Sequence, residues 1–118
     1  MSNIVSDDQV SKALDFLSTT DRDCAVKKAL MKGLEHQRHT QKSLAMLDAE
    51  TKSIHSGEKL SVSKKETLAF TSDRYVEFLQ KYETSVVEYE TINNQRHYQI
   101  GLIEVWRSEQ ANRRKGNI

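Results

Sequence analysis

The chain has 118 residues, 36% of them hydrophobic and 30% charged, and a formal net charge of +1. That balance excludes a strong global field for nucleic acid or membrane and leaves room only for local patches. The single cysteine, Cys24, excludes an internal disulfide, and no apolar run approaches the roughly 20 residues that span a bilayer. Residues 1–7 carry no basic stretch leading into a hydrophobic core. Together these point to the reducing cytoplasm and to no membrane. Cys24 reads as a small apolar residue rather than a reactive thiol.

Proline is absent from the whole sequence, which suits long helices because an internal proline costs about 3 kcal/mol. The first element predicted is a short helix over 7–18. Ser6 caps it, Gln9 completes a capping box, Val5 is placed to staple onto Val10, and Val10, Ala13, Leu14 and Leu17 form its apolar face. Ser18, Thr19 and Thr20 read as an interruption, with Thr20 as the next cap. A long helix follows over 21–54, with Val26, Ala29, Leu30 and Leu34 in its first half and Leu44, Leu47 and Ile54 in its second. Gly33 inside it marks either a kink or, as the favoured reading, a close helix crossing. Ser56 and Gly57 end this helix.

After a short connection, Ser63 with Glu66 predicts a capped short helix over 64–70. Thr71 or Ser72 then caps the longest element, 72–113, which continues through Gly101; residues 115–118 should fray. Along it Tyr75, Leu79, Tyr82, Val86 and Tyr89, then Ile100 and Ile103, return every three or four positions apart from one gap. The tyrosines repeat every seven residues, which is coiled-coil spacing. Such a helix is roughly 60 Å long, too long for a compact ball of this size.

The expected fold is therefore all-α, a single domain: an elongated antiparallel hairpin of two long helices with two short ones. Setting Ile54 beside Tyr75 brings Leu47 near Tyr82 and Leu30 near Ile100. A polar waist then forms between residues 35–42 and Glu88, Glu90, Asn93, Asn94 and Arg96, while the first helix covers Val26, Leu30, Ile100 and Ile103. One seam buries little apolar surface, so a homo-oligomer is expected, with Tyr75, Leu79, Tyr82, Val86, Tyr89 and Trp106 as interface residues. Polar seam residues such as Asn93 and Arg96 would set register and oligomer number.

Chemical signatures are scarce. Glu35, His36 and His39 share adjacent turns, but their order is not the metalloprotease pattern, so no metal site or cofactor is assigned. The glycines are isolated and form no phosphate loop, nothing places a histidine beside Cys24, and no catalytic residue is assigned; the chain reads as a non-enzyme. Basic residues cluster twice. Lys52, Lys59, Lys64 and Lys65 lie around the connection; Arg107, Arg113, Arg114 and Lys115 lie near Trp106 at the carboxy terminus. Basic side chains with a nearby aromatic suit a nucleic-acid strand, and Lys59, Lys64, Lys65, Arg113, Arg114 and Lys115 are the candidate phosphate contacts. The competing reading is that cations near a helix end complement its dipole.

The segment from Ser61 to Asn112 carries Ser63, Glu66, Ala69 and Tyr75, followed by Ile103-Glu104-Val105-Trp106-Arg107-Ser108 and Ala111-Asn112. It resembles small helical proteins encoded by tailed bacteriophages. Its layout of long helix, short basic connection and second long helix is similar to the UvsY-type recombination mediators. That resemblance implies an oligomer in the host cytoplasm that binds single-stranded DNA and helps load a strand-exchange recombinase onto strands covered by single-strand-binding protein. The alternative is a helical protein–protein interaction module, an inhibitor, adaptor or chaperone without DNA binding; a structural virion component is a third reading.

Overall fold

The computed structural model describes residues 4–116, and among these every regular element is helical: α1 (Asp7–Ser56), α2 (Val62–Phe70) and α3 (Asp73–Gly116). The fold is an all-α helical hairpin. The chain packs as two units. One combines the residues through Lys27 with those from Glu88 onward; the other is Lys28–Val87.

Local chemistry sets most helix ends. The Ser6 backbone N–H donates to Gln9 Oε1 at 2.8 Å and the Gln9 N–H donates to Ser6 Oγ at 3.1 Å, a closed capping box. Val5 and Val10 on either side of it are both buried. At the far end of α1, Gly57 takes φ +79°, its N–H donates to the Ile54 carbonyl, and the Glu58 N–H donates to the Ser53 carbonyl. This is a Schellman closure, and the left-handed residue it needs is the one that lacks a Cβ. The cap of α2 is Ser61, whose Oγ accepts from the Lys64 N–H, rather than Ser63, which lies inside the helix. Ser72 Oγ accepts from the Tyr75 N–H and so caps α3.

The expected break at Ser18–Thr20 is absent, and α1 is continuous. The Thr19 hydroxyl donates to the Asp15 carbonyl and the Thr20 hydroxyl to the Phe16 carbonyl. These hydroxyls are satisfied by the preceding turn, so they do not compete with the backbone for its own bonds. Thr20 is thus an interior residue and not a cap. The tail expected to fray is helical through Gly116, and its last two residues lie outside the described ones. α3 continues through Gly101, as expected. The close crossing favoured at Gly33 is not made: a Cβ there, as at Gly101, would meet nothing within 4 Å. With open space and helical backbone, Gly101→Ala should raise stability by about 0.5–1 kcal/mol, seen as a higher urea midpoint at unchanged slope.

In the first unit the amino-terminal part of α1 runs antiparallel to the carboxy-terminal part of α3. The Ile4 N–H donates to Glu109 Oε1 at 2.9 Å, and Trp106 Nε1 donates to Asp7 Oδ1 at 2.8 Å. Farther along, Arg96 donates to the Leu17 carbonyl (2.7 Å), to Thr20 Oγ1 (2.8 Å) and to Asp21 Oδ1 (3.3 Å). Val5, Val10, Ala13 and Ile92 are buried in this unit. Residues 7–18 therefore extend α1 along α3 instead of folding over Val26 and Leu30, both of which stay exposed.

The second unit has the core cluster Leu34, Ala45, Ala69, Tyr75 and Phe78, with Met46, Leu79 and Tyr82 against it. Phe70 meets Tyr75 edge-on at 5.4 Å between ring centroids, and Phe78 lies 6.3 Å from Tyr75. The expected register does not hold. Arg74 at the start of α3 bonds Asp48 at 2.8 Å, and Ile54 is 71% exposed. The reason is α2. Lys65 pairs with Glu50, Lys42 pairs with Glu66, and Lys42 Nζ sits 4.9 Å over the Phe70 ring. As α2 advances its partners move back along α1, so α3 begins opposite Ala45–Asp48. Within the second unit residues 35–42 consequently face the Tyr75–Tyr82 stretch rather than lining a polar waist.

This register also corrects the apolar face assigned to α1. The covered positions are Cys24, Met31, Leu34 and Ala45, while Val26, Leu30, Leu44, Leu47 and Ile54 are exposed. On α3, the expected residues Tyr75, Leu79, Tyr82, Val86, Tyr89 and Trp106 are all buried or half-buried. They share that face with Phe78, Ser85, Ile92 and Arg96.

Candidate nucleic-acid interface

The two basic clusters lie in different units of the fold. In the second unit, Lys65 is engaged by Glu50 at 3.4 Å. Lys52, Lys64 and Arg74 border a cleft of about 750 Å³, and the same cleft is bordered by Asp48, Glu58 and Asp73. Lys59 lies with Glu50, Glu58 and Lys65 around a neighbouring hollow. Of the connection lysines Lys65 is thus paired, and Lys52, Lys59 and Lys64 line hollows that carboxylates also line. A strand placed there would meet cancelling charges, and exposed pairs of this kind contribute about 0–1 kcal/mol to stability.

The carboxy-terminal cluster sits at a helix end. Arg113, Arg114 and Lys115 occupy the last turn of α3, where the carbonyl end of the helix favours cations, and all three are exposed. Arg107, also exposed, lies seven residues before Arg114 and so on the same helix face. Trp106 is half-buried and its indole N–H is committed to Asp7, so its ring anchors α3 to α1 rather than standing free as a stacking platform. The structure does not bring Lys59, Lys64 and Lys65 together with Arg113, Arg114 and Lys115 into one packed unit.

One ionisable group is clearly shifted. The Arg38 guanidinium is raised above its ordinary value, first by its hydrogen bond to the Tyr75 hydroxyl, then by the charges of Tyr75, Tyr82 and Glu35. Arginine is already charged throughout the working pH range, so this raised value adds no pH dependence there. Its consequence is positional: an exposed cation lies beside the hydroxyl of a buried tyrosine. His36 and His39 are exposed, and Cys24 is half-buried with a free thiol. Among the described residues no group of three or more His, Cys, Asp or Glu side chains is placed to hold a metal, and no helix is long and apolar enough to cross a membrane.

Two features of the site were missed in the sequence. One is Arg96 as an anchor within the chain; its seven-residue spacing from Tyr89 and Ile103 was the available signal. The other is the pairing of Lys65 with Glu50, a partner from a different helix. Comparison with known proteins finds nothing similar: no family model, no curated protein and no solved structure matches this chain.

Proposed function

We propose that this chain is a non-enzymatic accessory protein that binds single-stranded DNA through the carboxy-terminal end of α3 and works as a self-associating helical scaffold. Recombination or replication of a phage genome in the host cytoplasm is its setting. A recombinase or a single-strand-binding protein is the expected protein partner. The observation that carries the reading is the exposed basic last turn, Arg113-Arg114-Lys115. Consecutive exposed cations at a helix end engage phosphates without sequence preference, and multiplying a weak patch by self-association raises avidity despite a net charge of +1. The resemblance in layout to the recombination mediators supports the same assignment.

Fluorescence anisotropy with labelled single-stranded DNA at low salt tests it. Affinity should fall as salt rises, with a slope near −0.7 for each phosphate contacted. Replacing Arg113, Arg114 and Lys115 together by alanine should flatten that slope by about 2 and weaken binding roughly tenfold or more at low salt. The same replacement at Lys59, Lys64 and Lys65 should change it less, because those lysines sit among carboxylates. Absence of any anisotropy change up to high micromolar protein at low salt would sink the DNA reading and leave a protein-interaction module in its place.

A further inference from the structure

Tyr98 differs from the other aromatic side chains of the first unit. Phe16, Tyr89 and Trp106 are half-buried, whereas Tyr98 is 65% exposed. Among the described residues its ring meets no other ring and no cation, and its hydroxyl has no hydrogen-bond partner. The local helix keeps the ring open. A helical side chain lies over the turn that precedes it, so residues 101 and 102 are the ones that would cover Tyr98, and residues 94 and 95 are the ones it covers. Position 101 is a glycine, and a Cβ there would meet nothing within 4 Å. Asn94 and Gln95 are exposed, uncharged amides, and none of the four neighbouring positions carries a carboxylate. Arg113 follows on the same helix 15 residues later. That is roughly 22 Å along the axis and about 60° around it. The side chains of the basic last turn lean back toward Tyr98, because helical side chains point to the amino terminus.

We infer that Tyr98 is a stacking platform for an unpaired base of the strand whose phosphates the last turn of α3 holds. The platform rests on the DNA reading above and adds to it the source of single-strand preference. A basic turn by itself attracts any polyanion, duplex or single strand. An exposed ring discriminates between them. In a duplex both faces of each base are already stacked on its neighbours, whereas an unpaired base has a face to give. Such stacking tolerates any sequence, since every base has a π-face. The Asn94 and Gln95 amides beneath the ring supply both donors and acceptors for the edge of a splayed base, and they add no charge that would repel the backbone. Trp106, the other aromatic near the basic turn, has its indole N–H bound to Asp7 and holds the helices together. Tyr98 is the ring left for the ligand.

The test compares three labelled probes by anisotropy at low salt: a single-stranded oligonucleotide, the same sequence as a duplex, and a strand of the same length made of abasic units. Tyr98→Ala should weaken binding of the single strand by roughly 5- to 100-fold. Its salt slope should stay that of the wild type, because no phosphate contact is lost. Tyr98→Phe, which keeps the ring, should bind like the wild type. Duplex affinity should be the same for all three proteins, and wild type and Tyr98→Ala should bind the abasic strand alike. Circular dichroism should show unchanged helicity, since the side chain is mostly in solvent. Equal single-strand affinity for wild type and Tyr98→Ala would overturn the platform alone, leaving the DNA reading in place and the ring as a contact for a protein. A loss of the same factor on single strand, duplex and abasic strand would overturn it as well. A wild type that binds none of the probes up to high micromolar protein would overturn both the platform and the DNA reading.

Discussion

Phe78→Ala should lower the free energy of unfolding by about 3–4 kcal/mol. Phe78 is buried in the second unit with Leu34, Ala45, Ala69 and Tyr75. Two of those neighbours are alanines, one on α1 and one on α2. The alanines have no side chain that could swing into the space left by the ring, so refilling falls to Leu34, Met46 and Leu79. The lost transfer energy is therefore accompanied by part of the cavity term. The effect is large because the core is small: total stability for a domain of this size is on the order of 5–15 kcal/mol. Phe78→Leu, which keeps most of the volume, should cost under about 1.5 kcal/mol. Urea unfolding followed by circular dichroism, at equal protein concentration for every variant, measures both. A loss under about 1 kcal/mol for the alanine variant, at unchanged slope, would mean that the ring does not pack as described.

Arg96→Ala should cost about 2–3 kcal/mol. The Arg96 side chain is 17% exposed and donates to the Leu17 carbonyl, Thr20 Oγ1 and Asp21 Oδ1. Its two shortest bonds both leave Nη1, for a carbonyl and a hydroxyl, while Nη2 reaches Asp21, so the planar group spans three acceptors that the single nitrogen of a shorter lysine does not cover together. Arg96→Lys should thus recover little. The pairing with Asp21 is the minor part, since that carboxylate is 81% exposed and 3.3 Å away. Asp21→Asn should accordingly change stability by under about 0.5 kcal/mol. If Asp21→Asn proved as costly as Arg96→Ala, the ion pair rather than the fork would be what holds these helices in register.

Arg96 also shows why a polar residue at a seam position is ambiguous in sequence. Its heptad position is visible beside Tyr89 and Ile103, but not whether its partners belong to the same chain. Leu17, Thr20 and Asp21 lie far from it in the sequence, and only the packed register places them there. The same limit applies to the lysines of the connection. As a list they form a basic cluster. In the fold, Glu50 from a separate helix engages Lys65, and Glu58 borders the hollows that Lys59 and Lys64 line, so the cluster becomes one of mixed charge.

The helix ends were legible because capping is short-range chemistry. Ser6 with Gln9 and Gly57 after Ser56 act through bonds spanning at most six residues, and so read directly. Ser18–Thr20 misled for a related reason: a hydroxyl that caps a helix in one setting bonds back to its own turn in another, and the choice depends on whether α3 packs alongside. What the chain determined unaided is its helical character, its hairpin reversal and the tyrosine-lined face of α3, since these follow from periodicity and local hydrogen bonds. The alignment of the two arms was settled only by α2 lying back along α1. So was the choice between the two apolar stripes of α1, which satisfy the same spacing equally well. Contacts between residues far apart in sequence discriminate between such equivalent local solutions, and they exist only once the helices are packed.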